Sequence, residues 1–209
     1  MATSSTPQRQ RLRQRRHDAE QQILDAAERL LRERRFRDLT VDDIMAATSQ
    51  SRTAFYRFFT DRHALLIRLI YDLAEELWAM SESWMTGTGD PVHEGRQALE
   101  RLVGVYTAHG PLLAAIAEAA GSDDEVEKVY GGLVQRFVDG TAARIERDQA
   151  AGRALPLDPR EGAAALVWMT ERYLAATFDE PGTGDRSKAV DTLLAIWMRA
   201  IYGSDQPAG

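Results

Sequence analysis

Cysteine is absent from this chain of 209 residues. That excludes disulfides, cysteine-ligated zinc and thiol catalysis, although it does not by itself fix a compartment. Long apolar runs are absent too. The longest uninterrupted one is Ala163–Met169, far short of a membrane span. The basic N-terminus has no apolar run behind it, so no signal peptide is expected. No stretch alternates convincingly enough to be a strand, and no repeat recurs at a solenoid period. Catalytic signatures are missing in the same way. His17, His63, His93 and His109 are scattered without metal-ligand spacing, no glycine-rich phosphate loop follows a strand, and there is no Gly-x-Ser-x-Gly elbow. The carboxylates Asp123-Asp124-Glu125 are better explained as a helix start. The expectation is an all-α cytoplasmic protein with no membrane segment, metal, cofactor or enzymatic activity.

What is present is unevenly distributed. Apolar residues make up 44% and charged residues 28%, ordinary for a soluble globular chain with a sizeable core. The net charge of −6 hides an asymmetry. Residues 1–62 carry 13 Arg against 9 Asp and Glu, or +4, leaving −10 for residues 63–209. A basic head and an acidic body are the arrangement a nucleic-acid binder needs. Residues 1–17 hold Arg9, Arg11, Arg13, Arg15 and Arg16 and no acid. They are expected to be a disordered basic arm, with Arg15 and Arg16 as candidate phosphate contacts.

The head has a recognisable grammar. A first helix is expected at about 18–34, where Ile23, Ala26, Ala27, Leu30 and Leu31 recur at helical steps. Thr40 and Asp43 form a capping-box signature for a short helix with Val41, Ile44 and Met45 on its apolar side. The small polar residues Ala47-Thr48-Ser49-Gln50-Ser51 suit a tight turn, and Ser51 is placed to cap a second helix over 52–59. That helix carries Arg52, Thr53, Tyr56 and Arg57 around Phe55 and Phe58. Arginine forks onto guanine or phosphate, hydroxyls donate to phosphate, and aromatics brace the helix from behind.

The segment Ser51-Arg52-Thr53-Ala54-Phe55-Tyr56-Arg57-Phe58-Phe59, followed by Thr60-Asp61-Arg62-His63-Ala64-Leu65-Leu66, resembles the recognition helix and the start of the fourth helix of the TetR repressors of bacterial transcription. Ser49 and Gln50 depart from that pattern, standing where the family usually has glycine and an apolar residue, and serine is less suited to a left-handed turn. The resemblance implies that Tyr56 and Arg62 touch phosphates, with Thr40, Ser51, Arg52, Thr53 and Arg57 as further DNA contacts.

Beyond the head, a helix from Thr60 and Asp61 to about Met85 carries an apolar stripe into the body and would make a natural lever. Further helices are expected at about 92–109, from Pro111 to Gly121, from the capping box Ser122–Glu125 to about Ala151, from Asp158-Pro159 to about Phe178, and from Asp185 to Gly203. This gives nine helices: a head at 18–60, a six-helix body at 61–203 and a tail at 204–209. Trp168-Met169-Thr170-Glu171-Arg172 and the closing Asp191–Gly203 are similar to the EthR-like branch. That resemblance implies a small, largely apolar ligand facing Leu102, Tyr106, Tyr130, Val134, Phe137, Thr141, Val167, Thr170, Glu171, Leu174 and Trp197. Thr170 and Glu171 are polar points in an apolar run; the alternative for Glu171 is a buried pairing with Arg172 or another cation. Gly95, Gly140 and Ala175 replace family aromatics, so a tunnel widened, or reshaped by Trp168, Tyr173 and Trp78, is expected. Gly131, Gly132 and Gly140 lie inside a helix at about 1 kcal/mol each, which suggests close packing or room for a ligand.

The last two helices are apolar on more than one face, which invites a two-fold interface. The sequence thus points to a homodimer on an inverted-repeat, double-stranded DNA operator, released by ligand in the body. The competing readings are a helical interaction protein without DNA function and, further off, an enzyme.

Overall fold

The computed structural model describes residues 7–180 and 182–203; residues 1–6 of the expected arm, Pro181 and the expected tail 204–209 lie outside the described residues. Among the described residues there are eight α-helices, one short 3-10 turn and no strand. They form two compact units, one reaching Leu69 and the other starting at Ile70.

The first unit contains α1 (Pro7–Leu31), the 3-10 turn Phe36–Asp38, α2 (Val41–Ala46), α3 (Arg52–Phe55) and the opening of α4 (Arg62–Thr86). Helix α1 meets α2 and α3, and α2 meets α3. Ile23, Leu24, Ala26, Ala27, Leu31, Phe36, Leu39, Ile44, Met45, Phe55 and Phe59 are buried here. Two expectations are corrected. Residues 7–17 are helical turns of α1 and not a disordered arm. Pro7 suits a first helical position, Gln, Arg and Leu are good helix formers, and Gln14 Nε2 donates to Asp18 one turn on at 2.8 Å. The second helix of the motif is also shorter than 52–59. After Phe55 the chain continues as turns, with the Phe59 N–H on the Phe55 carbonyl at 3.0 Å, and this places both rings in the core 5.4 Å apart.

The second unit holds the rest of α4 with α5 (Pro91–Ala120), α6 (Asp124–Ala150), α7 (Pro159–Thr177) and α8 (Arg186–Tyr202). Helix α5 packs on α6, α7 and α8, while α7 contacts both α6 and α8. Each of α5 to α8 opens on an aspartate, Asp90, Asp123, Asp158 or Asp185, whose carboxylate accepts first-turn N–H groups. At α6 the cap is Asp123, not the expected Ser122; the Ser122 hydroxyl donates back to the Ala119 carbonyl at 3.2 Å. Gly203 ends α8 in the left-handed region at φ 75°, where a side chain would be strained.

Eight helices replace the expected nine because the two segments around Pro111 join as α5. The helix kinks at His109 (φ −120°, ψ 17°), just before the proline that cannot donate. Gly110 lies against the Phe178 backbone, where a Cβ would collide with the carbonyl, so the kinked helix closes onto the end of α7. Among the described residues α5 alone is long and apolar enough to cross a membrane, yet half of its most apolar window is already buried in the body, as in a core helix.

A buried ion cluster gathers four helices of the body. The Arg144 side chain is 0% exposed and that of Asp148 1%. Arg144 Nε donates to Asp148 Oδ2 at 2.7 Å, and its Nη1 donates to Glu94 Oε2 at 2.7 Å and to the Trp84 carbonyl at 2.8 Å. Tyr202 donates to Asp148 Oδ2 at 2.6 Å, and Arg153 pairs with the other carboxylate oxygen. Burial alone would raise the Asp148 carboxyl, but hydrogen bonds from Tyr202, Arg153 and Arg144 outweigh it and hold the group below its usual range. Removing Arg144 leaves the buried Asp148 carboxylate without one of its donors. Arg144→Ala is expected to lower the unfolding free energy by about 3 kcal/mol or more in urea titrations. A loss below about 1 kcal/mol would mean that the cluster contributes no more than a surface pair.

Candidate functional site

The motif region presents a polar face. Thr40, Ser51, Arg52, Thr53, Tyr56 and Arg57 are exposed, while Ala54 and Phe55 between them are buried. The Thr40 hydroxyl accepts from the Asp43 N–H at 3.1 Å, and the Asp43 carboxylate accepts from the Thr40 N–H at 2.9 Å, so the capping box is complete. Ser51 occupies the start of α3 with extended backbone but makes no capping hydrogen bond, so its expected cap is not formed. Arg52 is not a lone surface cation: its Nη1 donates to both oxygens of Asp42, at 2.5 and 2.7 Å. A hydrogen bond to Tyr56, one turn along, and the charge of Asp42 raise its guanidinium further.

Arg62 behaves differently from its neighbours. Half-buried, it donates through Nη1 to the carbonyls of Phe36, Arg37 and Leu39 at 2.8 to 3.1 Å, and its guanidinium lies 4.9 Å from the centre of the Phe36 ring. It braces the approach to α2. Arg15, Arg16 and Arg57 come together instead, along an open groove of about 820 Å³ that also includes Asp18, Ala19, Gln22, Gln50 and Phe58. Arg16 sits 5.7 Å from the Phe58 ring centre. The turn is held from α1: Gln22 Oε1 accepts from the Ser49 hydroxyl and from Gln50 Nε2, both at 3.0 Å. No non-glycine residue described has a positive φ, so Ser49 turns the chain without left-handed strain.

The second unit encloses a cavity of about 120 Å³ between α4, α5, α6, α7 and α8. Trp84 and Trp197 meet edge to face across it at 6.0 Å, and Trp197 Nε1 donates to the Thr170 hydroxyl at 2.8 Å. The Tyr130 hydroxyl donates to Glu171 Oε1 at 2.5 Å. Burial and, secondarily, the Glu171 charge push the Tyr106 phenol up; burial and the hydrogen bond to Glu171 do the same for Tyr130, so both rings stay neutral.

Residues 23–69 match the description "bacterial regulatory proteins, tetR family", and residues 95–203 match "transcriptional regulator EthR, C-terminal domain". The HTH-type transcriptional regulator EthR of Mycolicibacterium smegmatis is 31% identical over 191 residues, covering 90% of this chain and 88% of that protein. EthR of Mycobacterium tuberculosis is 31% identical over 196 residues, with 90% and 89% covered. The chain belongs to the TetR family of bacterial transcriptional regulators, in its EthR-like branch. Solved TetR-type folds agree. NalD, the secondary repressor of a multidrug efflux pump in Pseudomonas aeruginosa, superposes with a TM-score of 0.73 at 19% identity, covering 90% of this chain and 98% of its own. SmeT, the repressor of a Stenotrophomonas maltophilia efflux pump, gives 0.70 at 20%, covering 91% and 97%.

Within this TetR architecture, ten of the eleven residues expected at a ligand line the cavity. Leu174 does not; it is fully buried elsewhere in the body. The space left by Gly95 and Gly140 is occupied. A Cβ at Gly95 would meet Met198, Leu194 and Trp84 at 3.2 to 3.3 Å, and one at Gly140 would meet the Met85 sulfur at 2.5 Å, so large neighbours already use that space. Gly131 and Gly132 have nothing within 4 Å of where a Cβ would stand, so close packing does not explain them. Trp168 is 44% exposed, and neither it, Tyr173 nor Trp78 lines the cavity; Trp78 lies edge-on to Phe137 and under Arg136, 3.7 Å from its ring centre. Sequence reasoning missed Asp42, Gln22 and the α4 wall of Leu77, Ser81, Trp84 and Met85. The wall carried a signal, since Leu77 and Trp84 belong to the α4 apolar stripe; the pairing of Asp42 with Arg52 did not.

The capping box makes a pH prediction. Hydrogen bonds from the Thr40 side chain and from Arg34 hold the Asp43 carboxyl at about 2, against an ordinary 3.8. The folded value lies below the unfolded one, so the box stabilises fully above pH 3.8 and the contribution is lost as pH falls through about 2. Carboxyl chemical shifts followed by NMR are expected to show this for Asp43, and Thr40→Val to move its titration upward. An Asp43 titrating at the ordinary value would contradict it.

Proposed function

We propose that this TetR-family regulator binds an inverted-repeat operator as a homodimer and is released when a small, largely apolar ligand occupies the cavity. The observation that carries this reading is the course of α4. Its opening turns belong to the unit that holds the helix-turn-helix, and its later residues Leu77, Ser81, Trp84 and Met85 form a wall of the cavity. A side chain displaced by ligand is therefore part of the same helix that leaves the DNA-reading unit. The ligand acts only through different affinities for the DNA-competent and released states.

In the head, Arg52, Thr53, Tyr56 and Arg57 would meet the major groove and its flanking phosphates, and the Arg15–Arg16–Arg57 groove would follow the backbone. Arg62 and Thr40, occupied with internal hydrogen bonds, would act mainly by holding the surface in shape. Asp42 would aim Arg52: both carboxylate oxygens sit on one guanidinium nitrogen and Tyr56 hydrogen-bonds the same group, so the two hold it in place for a base, Tyr56 giving way where the guanidinium forks. Exposed Trp168 on α7 and Ile196 on α8 support a two-fold interface through the last two helices. The regulatory relatives support a non-catalytic role, and a soluble cytoplasmic location follows from the same reading.

Mobility shifts on the DNA flanking the protein's own gene, at two salt concentrations, test this. Arg57→Ala is expected to weaken binding by about tenfold and to reduce the salt slope by about 1, as loss of one phosphate contact does. Asp42→Ala is expected to raise affinity for unrelated DNA, by removing a negative charge, while lowering the ratio of specific to unrelated binding. Absence of binding by folded wild-type dimer would remove the DNA reading; an unchanged specificity ratio in Asp42→Ala would remove the aiming role.

A further inference from the structure

We propose that the cavity is shaped for an organic cation, a small apolar amine whose ammonium group pairs with Glu171. The proposal rests on the ligand-released reading above and names the class of its ligand. Five aromatic residues line the cavity, Trp84, Tyr106, Tyr130, Phe137 and Trp197, and Glu171 is the one charged residue among those lining it. No lysine or arginine does so.

The state of Glu171 shows what is missing. Its side chain is 9% exposed. Oε1 accepts the Tyr130 hydroxyl at 2.5 Å, whereas buried Oε2 has no hydrogen bond. The expected alternative is partly met: Arg172 Nε forms an ion pair with Oε2 at 3.7 Å, too long for a hydrogen bond and on a side chain 71% exposed, so solvent screens it. A carboxylate oxygen in an apolar enclosure without a donor is unfavourable, and water would have to be excluded by any ligand that fills the space. An ammonium N–H supplies the missing donor together with a closer, desolvated positive charge. The faces of the surrounding aromatic rings carry negative potential and attract the same group. The Trp84 Nε1–H in the same lining also lacks a partner and suits an acceptor, but a carboxylate or phosphate ligand would meet Glu171 and those ring faces with the wrong sign. A neutral apolar ligand would leave Oε2 as it is.

Three probes with one alkyl chain separate these cases: n-hexylammonium, hexan-1-ol and hexanoate, titrated into the full-length protein by calorimetry and by tryptophan fluorescence. The ammonium is expected to bind about tenfold more tightly than the alcohol, the gain of one charge-assisted hydrogen bond, with hexanoate weakest. Glu171→Gln is expected to bring ammonium and alcohol within about twofold of each other while leaving the alcohol unchanged. Tyr130→Phe, which removes the neighbour on Oε1 and keeps the charge, is expected to retain the preference for ammonium, and it decides the matter if Glu171→Gln does not fold. Alcohol or hexanoate binding as tightly as ammonium would overturn the cation site while leaving the cavity a receptor. Binding of none of the three would overturn the cation site and count against the ligand reading with it.

Discussion

Arg144 has no exposed surface, and much of the body's arrangement follows from what its guanidinium must find. It takes Asp148 from its own helix, Glu94 from the start of α5 and the Trp84 carbonyl near the end of α4, while Tyr202 from the end of α8 closes on Asp148. The same guanidinium lies 4.6 Å from the centre of the Trp84 ring. That indole is then fixed as a cavity wall, edge-on to Trp197, which is itself pinned to Thr170. A buried charge whose role is structural thus sets the positions of the aromatic groups that face the cavity. Arg147, donating to the Met85 carbonyl, secures the next residue of α4 in the same way.

Two kinds of polar group can therefore be told apart in the body. The Arg144 cluster is hydrogen-bonded through Nε and Nη1, with Nη2 alone left without a partner, and its charges are balanced by Asp148 and Glu94. Glu171 is hydrogen-bonded at one oxygen only, its other oxygen meeting just the distant charge of Arg172. The head shows a similar division, between Arg62 and Thr40, whose bonding capacity is used internally, and Tyr56, Arg57 and Ser51, which face outward. Residue type alone does not make these distinctions; the hydrogen-bond partners do.

What the sequence made legible was mostly local. The Thr40–Asp43 box, the Asp158-Pro159 start, the Asp185 start and the Gly203 stop depend on neighbours within one turn and stand where spacing put them. The cavity residues were legible through family resemblance, because positions on the helices that surround it could be matched one by one. The failures involve partners far along the chain. Ser49 and Gln50 looked unsuited to their turn because Gln22, their acceptor, is 27 and 28 residues away. Gly95 and Gly140 suggested empty space because nothing local shows that Met198, Leu194, Trp84 and Met85 fill it. Arg144 and Asp148 are one helical turn apart and look like an ordinary surface pair; only the convergence of α4, α5 and α8 buries them. Pro111 reads as a break, and the backbone does leave helical geometry there, at His109, although the two segments run on as one kinked helix.

In the proposed mechanism, filling the cavity and binding DNA oppose one another through linked equilibria. Calorimetric titration of one cavity-filling probe into the free protein and into its operator complex tests that claim directly. The account predicts that operator DNA weakens the probe by the same factor as the probe weakens the operator, because linkage is reciprocal. Equal probe affinity in the two states would contradict it.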